Sequence, residues 1–415
     1  MKKILRLFIA VCAAGAISAC STEFYDVVDG GRDDGKGDYE SGYMATDGDV
    51  APGEGGGDMG EGGEGDTNQN NGQAGRVTAG EWNDLDNWTF WSGLMTGEEY
   101  SSKSSYWCFW TNNRVAVEVS DKEENPVAGV TVTLSSNGKD VWSTKTDNFG
   151  RADCWVGMLQ KTEEVAGLKL TVNGQPWEGE PAVTTWDCPN GVAMNRIVLE
   201  NAVSAAAKAD IAFFVDATGS MMDEIDFLKE DLLDILNKVE ASQGGVAFRT
   251  AALFYRDEGD AYVTRTSNFS DKFSTTVDYI KKQTADGGGD YPEAVHTALE
   301  KGLQDLSWDE SAKTRIAFML LDAPAHHNET VIASLQKSIV KYAENGIKII
   351  PIAASGADKD TEFMLRFFAV ATGGTYVFIT NDSGIGGDHI AASVGEYQVE
   401  LLNELIIRLI KKYTD

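Results

Sequence analysis

Residues 211–220, IAFFVDATGS, constrain the fold more than any other stretch of this 415-residue chain. An apolar run ends on Asp216 and is followed by two hydroxyl residues, Thr218 and Ser220. Unbroken apolar strands are typical of parallel sheets, because such sheets are buried on both faces. The stretch therefore predicts a strand of an open α/β sheet, with a carboxylate and two hydroxyls in the loop at its carboxyl end.

The C-terminal half of the chain continues this alternation of strands and helices. Apolar residues after Ser220 recur at helical spacing, which predicts an amphipathic helix. We expect strands at 210–215, 247–255, 315–321, 347–352 and 375–378, and helices at 221–241, 291–303, 329–345, 361–371 and 389–413. The pattern predicts an α/β domain over residues 201–415, with a doubly wound, mostly parallel sheet covered on both faces.

Two further loops of this domain offer carboxylates. Residues 286–293, DGGGDYPE, contain three glycines that allow close backbone approach, with Asp290 and Glu293 flanking Pro292. Residues 316–324, IAFMLLDAP, form another apolar strand that ends on Asp322. Loops at the carboxyl ends of parallel strands share one edge of the sheet, and a hard divalent cation prefers oxygen ligands. A rival interpretation is that Asp216 caps the next helix and that Thr218 and Ser220 satisfy its free amides.

From about Lys208 onward the chain resembles the von Willebrand factor A-type domains. The resemblance rests on DATGS at 216–220, on YRD at 255–257, and on the bacterial-type motifs GGGDYPE at 287–293 and DAPAH at 322–326. The family's metal-ion-dependent adhesion site joins Asp-x-Ser-x-Ser, a second-loop Thr and a third-loop Asp. The resemblance implies a site that holds Mg2+ or Mn2+, with Ca2+ as a further candidate, through Asp216, Thr218, Ser220, Asp290 and Asp322.

The predicted site departs from the family in its second loop, where Asp290 stands at the usual Thr position. Three carboxylates would overcompensate a doubly charged ion, so we expect firm metal retention and weak attraction for an acidic partner group. His326 and His327 beside the third loop are interpreted as solvated turn residues rather than metal ligands.

The first 20 residues, MKKILRLFIAVCAAGAISAC, resemble a bacterial lipoprotein signal. A basic start precedes an apolar run that is too short to span a bilayer, and small residues precede Cys20. The resemblance implies cleavage before Cys20 and acylation of its thiol. Ser21 after the cysteine favours the outer membrane of a Gram-negative envelope, and the leaflet that the protein faces stays open.

Residues 21–77 are dominated by Gly, Asp, Glu and Asn and predict a disordered acidic tether. The formal charge of the chain is −30, which argues against nucleic acid as a partner and suits cation binding.

Three cysteines remain beyond the signal and its acceptor cysteine: Cys108, Cys154 and Cys188. They allow one disulfide, and the sequence does not choose among the three pairings.

Residues 78–200 predict an antiparallel β-sandwich, because short alternating segments are separated by Pro and Gly turns. The expected strands are 114–119, 129–134, 141–146, 168–172 and 196–199. Segments 126–130 and 146–150 resemble carboxypeptidase regulatory-like and immunoglobulin-like modules.

Nine of the ten tryptophans lie in this region. Core filling and docking onto the next domain is the favoured use, and stacking on sugar rings is the alternative.

The expected function is that of a lipid-anchored cell-envelope protein that binds a protein partner through its metal site. A structural or assembly subunit, in which the metal only stabilises the fold, is the first alternative. The second is a metal-dependent phosphohydrolase with Asp216 as nucleophile, but Thr218 occupies the position where such enzymes commonly carry a second Asp. No Ser/His/Asp order and no phosphate-binding loop is recognised in the sequence, so the expectation is that the chain is not an enzyme.

Overall fold

The structure is a computed structural model that describes residues 77–162, 165–188, 190–203, 205–383 and 387–415. The predicted signal with Cys20, and the predicted tether as far as residue 76, lie outside the described residues. The elements, in chain order, are β1 (Thr78–Trp82), α1 (Trp88–Thr96), α2 (Glu98–Trp107), β2 (Asn113–Ser120), β3 (Thr131–Ser136), β4 (Lys139–Lys145), β5 (Arg151–Val156), β6 (Lys169–Val172), β7 (Gln175–Pro176), β8 (Met194–Val198), β9 (Ala206–Asp216), α3 (Met222–Ser242), β10 (Ala247–Tyr255), β11 (Thr264–Ser270), α4 (Phe273–Ile280), α5 (Val295–Gln304), β12 (Ala312–Leu321), α6 (Glu329–Glu344), β13 (Ile347–Ala353), α7 (Lys359–Thr372), β14 (Tyr376–Ile379), β15 (Val399–Leu401) and α8 (Leu402–Thr414).

The large sheet has eight strands in the order β11-β10-β9-β12-β13-β14-β1-β15. Its centre, from β10 to β14, is parallel, whereas β11, β1 and β15 pair antiparallel at the two sides. Strand β9, which carries the IAFFVD sequence, lies between β10 and β12 with near-complete burial. The predicted doubly wound, mostly parallel sheet is confirmed.

Helices cover both faces of this sheet. Helices α3, α4 and α8 share one hydrophobic core with it, and α5, α6 and α7 share the other. The helix predicted at 389–413 begins only at Leu402, because β15 precedes it and pairs with β1. The helix predicted from residue 291 begins at Val295. Strand β11 and helix α4 lie outside the predicted elements. The polar sequence TRTSNFS of β11, an edge strand, carries little hydrophobic pattern, whereas Phe273, Val277 and Ile280 of α4 recur at helical spacing and could have indicated the helix.

Strand β1 corrects the predicted domain boundary at residue 78. The sequence TAGEW was assigned to the sandwich, but β1 inserts between β14 and β15 of the large sheet. Gly80 is required there, because a Cβ would meet the Phe378 ring at 2.6 Å and the Tyr397 ring at 2.7 Å. The α/β sheet is therefore built from both ends of the described chain.

The sandwich region contains two smaller sheets, ordered β5-β2-β8 and β4-β3-β6-β7. Their inward residues form one core that includes Val117, Val132, Cys154 and Leu170. Pairing is antiparallel throughout, except that β8 runs parallel to β2. The sandwich core and the core beneath α5, α6 and α7 belong to a single hydrophobic cluster.

Most of the tryptophans fill this shared core, as the favoured interpretation predicted. The buried ones are Trp82, Trp88, Trp91, Trp107, Trp142 and Trp155. Several lie on or beside α1 and α2, two helices that the sequence analysis did not predict. Phe109, after α2, stacks on Phe367 of α7 with ring centroids 3.8 Å apart. The aromatic segment therefore docks the sandwich onto the α/β sheet.

A buried ion pair fixes the same contact. Arg366 of α7 is fully buried and donates two hydrogen bonds to Asp84, of 2.9 and 2.6 Å. It also contacts Glu362 at 3.3 Å and donates to the Tyr100 hydroxyl at 3.1 Å. Burying an unpaired guanidinium is costly, so Asp84 and α7 depend on each other.

Cys154 and Cys188 are free thiols, so none of the three pairings among Cys108, Cys154 and Cys188 forms a disulfide in the described part of the chain. None of the described helices is long and apolar enough to cross a membrane.

Candidate metal site

Three strand ends meet at the carboxyl edge of the large sheet. Strand β9 ends on Asp216, which is in register with Tyr255 at the end of β10, and Asp322 directly follows β12. The exposed fractions are 0% for Asp216, 2% for Thr218 and 6% for Asp322. The structure therefore buries three of the predicted residues, Asp216, Thr218 and Asp322.

The first loop folds back on its own carboxylate. Oδ1 of Asp216 accepts hydrogen bonds from the Thr218 amide at 2.9 Å and from the Thr218 hydroxyl at 2.7 Å. Oδ2 of Asp216 is buried and has no hydrogen-bond partner. Neither the 3-10 turn Gly219–Met221 nor α3 has a side-chain cap. Helix capping, the rival interpretation, does not account for this loop.

The electrostatics of Asp216 are unfavourable without a cation. Burial, reinforced by the charge of Asp322, raises the pKa of Asp216 to about 7. The hydroxyl of Tyr255 is buried beside this carboxylate, and burial followed by the Asp216 charge raises its pKa well above the usual value. An unpaired carboxylate in such surroundings costs several kcal/mol by order of magnitude.

The second loop contributes a different residue from the one predicted. Asp290 is exposed, whereas Glu293, three residues later, is only 3% exposed. Burial and then the charges of Asp216 and Asp257 raise the pKa of Glu293 to about 9, and its Oε2 has no hydrogen-bond partner. Glu293 is therefore the second-loop carboxylate that the structure buries near Asp216, and metal binding by the exposed Asp290 stays a prediction.

The backbone explains why Glu293 turns inward. The Glu293 amide donates to the Pro324 carbonyl at 2.9 Å, and Glu293 forms a parallel bridge with Ala325. This bridge holds the second loop alongside the third. The proline in DYPE signals a turn at this point, but the sequence does not show which of the two flanking acids faces the sheet.

Glycine allows the first and second loops to touch. Gly288 has a φ of +74°, and a Cβ there would lie 3.1 Å from Oε1 of Glu293 and 3.1 Å from Cβ of Thr218. The Gly219 amide donates to the Gly287 carbonyl at 3.2 Å. A side chain at position 288 would therefore be strained by the left-handed backbone and would crowd both loops.

The third loop is tied to its neighbours by hydroxyl groups. Burial raises the pKa of Asp322, and a hydrogen bond with Ser220 opposes that rise. The Tyr291 hydroxyl donates to the Asp322 carbonyl at 3.1 Å and accepts from the Asp358 amide, also at 3.1 Å. Ser220 itself is exposed, so its hydroxyl lies at the open side of the group.

The two histidines, which were expected to be solvated turn residues, both contact other segments of the fold, although His327 is exposed and His326 is only partly buried. Nε2 of His326 lies 2.6 Å from Oδ1 of the buried Asp257. His327 stacks on Tyr106 at a centroid distance of 3.5 Å, and its Nε2 lies 2.8 Å from the Tyr106 carbonyl oxygen. His326 thus joins the loop after β10 to the third loop, and His327 contacts α2.

Glu224 was missed by the sequence analysis. It lies in the first turn of α3 with 1% exposure, and its Oε1 accepts from the Ser355 hydroxyl at 2.7 Å. Its Oε2 is buried without a hydrogen-bond partner. An acid in the first turn of a helix is usually exposed and interacts with the helix dipole, so its position gave no signal of burial.

The donor set has the oxygen chemistry that a hard divalent cation prefers: Asp216, Glu293 and Asp322 are buried, the charge of Asp322 raises the pKa of the other two, and Asp216 and Glu293 each retain an unpartnered oxygen. Across the described ranges, no three His, Cys, Asp or Glu side chains are close enough to hold a metal ion by themselves. Hydroxyl or solvent oxygens would therefore have to complete the shell. Thr218 and Ser220 are the hydroxyls nearest to the carboxylates.

Comparison with known proteins identifies this part of the chain. The sequence profile of the von Willebrand factor A domain matches residues 210–362. A putative ariadne-like RING finger protein of Acanthamoeba polyphaga mimivirus is 32% identical over 133 residues, which is 32% of this chain and 13% of that protein. The alpha-protein kinase vwkA of Dictyostelium discoideum is 29% identical over 150 residues, which is 36% of this chain and 23% of that protein. The chain thus spans less than a quarter of either relative.

Among solved structures, protein BatB from Bacteroides thetaiotaomicron aligns with 49% of this chain and 98% of its own length, at 11% identity and a TM-score of 0.34. The pilus adhesin SpaC from Lactobacillus rhamnosus GG aligns with 50% of this chain and 30% of its own length, at 12% identity and a TM-score of 0.36. The domain assignment rests on the sequence match and not on these structures.

Proposed function

Because residues 210–362 form a von Willebrand factor A domain, we propose that this chain is a lipid-anchored cell-envelope protein that binds a protein partner through a divalent cation. Asp216, Thr218, Ser220, Glu293 and Asp322 would hold Mg2+ or Mn2+, directly or through water. When bound, the ion supplies a positive centre with a coordination position open to an oxygen atom of the partner. We propose binding and not catalysis as the role of the site.

One observation carries this proposal: Oδ2 of Asp216 and Oε2 of Glu293 are buried at the same edge of the sheet without hydrogen-bond partners. A fold does not usually leave two carboxylate oxygens unsatisfied, because each costs free energy that a hydrogen bond or a cation would recover. The pKa values of Asp216 and Glu293 are raised to about 7 and about 9, which also indicates that neither carboxylate has a positively charged partner among the described side chains around it.

The charge balance indicates which partner group is favoured. Three carboxylates, Asp216, Glu293 and Asp322, exceed the double positive charge of the ion. The ligand set contains three carboxylates whether Asp290 or Glu293 supplies the second-loop ligand, so the charge balance is the one expected from the sequence. The site would therefore hold its metal firmly and would attract a neutral oxygen of the partner more readily than a carboxylate.

The test is a pull-down from envelope extract with the full chain, performed with Mg2+ and with a chelator. We expect a specific protein to be retained with Mg2+ and lost in chelator, and to be absent with Asp216→Ala under both conditions. Circular dichroism of the same samples checks that the fold persists. A partner that stays bound in chelator and to Asp216→Ala would overturn the proposal in favour of a structural subunit.

The membrane anchor is a separate part of the proposal and rests on the lipoprotein-like signal that ends at Cys20. We expect Cys20→Ala to abolish acylation, so that the chain accumulates as an unprocessed precursor or leaves the membrane fraction. Mass spectrometry of the N-terminal peptide after cell fractionation measures both. Detection of an acylated mature N-terminus in the Cys20→Ala chain would contradict the assignment.

A further inference from the structure

Three tryptophans of the sandwich region are only partly buried: Trp110, Trp177 and Trp186. Two of them, Trp110 and Trp186, line the same cleft, which has a volume of about 500 Å3. The cleft lies where β5 ends and where β2 begins, and Asn112, Val156, Lys161 and Thr185 also line it. The two aromatic residues that the core leaves partly uncovered therefore converge on one concave surface.

Trp110 contributes little to the packing of the fold. Within the described part of the chain it belongs to neither of the two hydrophobic clusters, whereas Trp177 and Trp186 pack against one of them. No hydrogen bond to another described residue engages its indole N–H, although its amide donates to the Met158 carbonyl at 2.8 Å. Its backbone is fixed while its ring and its indole N–H remain available at the cleft.

Trp186 is held in place by its neighbours. Its indole N–H lies 3.3 Å from the hydroxyl of Thr111, a fully buried residue that also accepts from the Trp91 indole at 2.9 Å. Its amide donates to Oδ1 of Asn112 at 3.0 Å. A ring fixed in this way loses little conformational entropy when a ligand stacks on it.

The lining combines these aromatic faces with hydrogen-bonding groups. The side-chain oxygen of Asn112 accepts the hydrogen bond from the Trp186 amide, which leaves its side-chain nitrogen as a donor. Lys161 and Thr185 are exposed at the cleft. A few polar groups placed around an apolar floor are the usual composition of a small-molecule site. A pyranose ring fits this chemistry, because it has an apolar C–H face for an indole and hydroxyls around its edge.

We propose that this cleft binds a saccharide, with Trp110 and Trp186 stacking on the sugar ring and Asn112 and Lys161 binding its hydroxyls. The site lies in the sandwich region and shares no residue with the metal site. It therefore gives the chain a second binding surface whose operation does not depend on the divalent cation.

The experiment uses the full chain and a panel of methyl glycosides of glucose, galactose, mannose and N-acetylglucosamine, with the corresponding disaccharides. Saturation-transfer NMR detects contact, and tryptophan fluorescence titration gives the affinity. We expect at least one saccharide to receive saturation from the chain and to bind equally well in Mg2+ and in chelator. Absence of transfer to every saccharide of the panel would overturn the proposal.

Variants then locate the site. We expect Trp110→Ala to weaken binding at least tenfold with an unchanged melting temperature, and Trp110→Phe to keep part of the affinity because an aromatic face remains. Trp177→Ala, which removes a partly buried tryptophan outside the cleft, is the matched control and should bind normally. Unchanged affinity of Trp110→Ala would exclude this cleft, whatever the saccharide.

Discussion

At the scale of single residues, the second loop shows how a shift of three positions changes the chemistry of the site. Asp290 and Glu293 flank Pro292, and both are acids in a glycine-rich loop. Only Glu293 is buried, because its amide is fixed to the Pro324 carbonyl at 2.9 Å. The charges of Asp216 and Asp322 also raise the pKa of Glu293, so a cation bound here would relieve this repulsion.

We predict opposite outcomes for two neighbouring neutral variants. Glu293→Gln removes a buried carboxylate, so it should stabilise the chain in chelator or leave it unchanged, and should reduce the stabilisation that Mg2+ provides. Asp290→Asn should keep the full metal effect, about 2.7 kcal/mol at a Mg2+ concentration one hundred times the dissociation constant. Calorimetric melting of both variants with Mg2+ and with chelator measures the difference. Loss of the metal effect in Asp290→Asn alone would return Asp290 to the ligand set.

At the scale of elements, the site depends on three loops that approach each other closely: the first follows β9, the third follows β12, and the second joins α4 to α5. The first and second loops meet across Gly288, and the second and third loops are joined by the bridge between Glu293 and Ala325. The central parallel strands fix the starting points of the loops. Gly288 then permits the close approach of the first and second loops, since a Cβ at this position would crowd Thr218 and Glu293 at 3.1 Å.

Gly288→Ala should therefore damage the site, whereas Gly289→Ala should not. At Gly288 the backbone is left-handed and a Cβ would press on Thr218 and Glu293, so we expect a loss of stability of about 1–2 kcal/mol and a weakened response to Mg2+. A Cβ at Gly289 meets nothing within 4 Å. Thermal melting and metal titration of the two alanine variants provide the comparison, and equal behaviour would show that the loops do not need this close approach.

At the scale of the whole molecule, the sandwich and the von Willebrand factor A domain do not divide at one point along the chain. Strand β1 precedes the sandwich in sequence but completes the α/β sheet, and Asp84 after β1 pairs with Arg366 of α7. A single hydrophobic cluster runs from the sandwich to the helices on one face of the large sheet. The two regions are therefore expected to unfold together.

A chain restricted to residues 208–415 should not fold stably, although it contains the entire matched domain. It lacks β1, so β14 keeps only β13 as a partner and β15 loses its partner, and Arg366 loses its ion pair with Asp84. Breaking a buried ion pair costs about 3–5 kcal/mol, which is a large part of the stability of a typical domain. Residues 77–415 should instead melt in one cooperative transition by calorimetry. Equal melting temperatures for the two fragments would contradict this coupling.

The sequence by itself determined the features that depend on local pattern. Unbroken apolar strands and amphipathic helices specified the doubly wound sheet, and the carboxyl end of such a strand placed Asp216, Thr218 and Asp322 at one edge. Short alternating strands specified the sandwich, and the size of the tryptophan side chain predicted that most of them would fill the core. These properties follow from residue spacing and burial, which are readable along the chain.

The tertiary structure alone decided the features that depend on contacts between distant segments. It inserted β1 between β14 and β15, chose Glu293 over Asp290, paired His326 with Asp257, and left Trp110 and Trp186 facing a cleft. Each choice is made by a partner that lies far away in the chain, such as Phe378 for Gly80 or the Pro324 carbonyl for Glu293. A short sequence such as TAGEW or DYPE is compatible with several partners, and only packing in three dimensions selects among them.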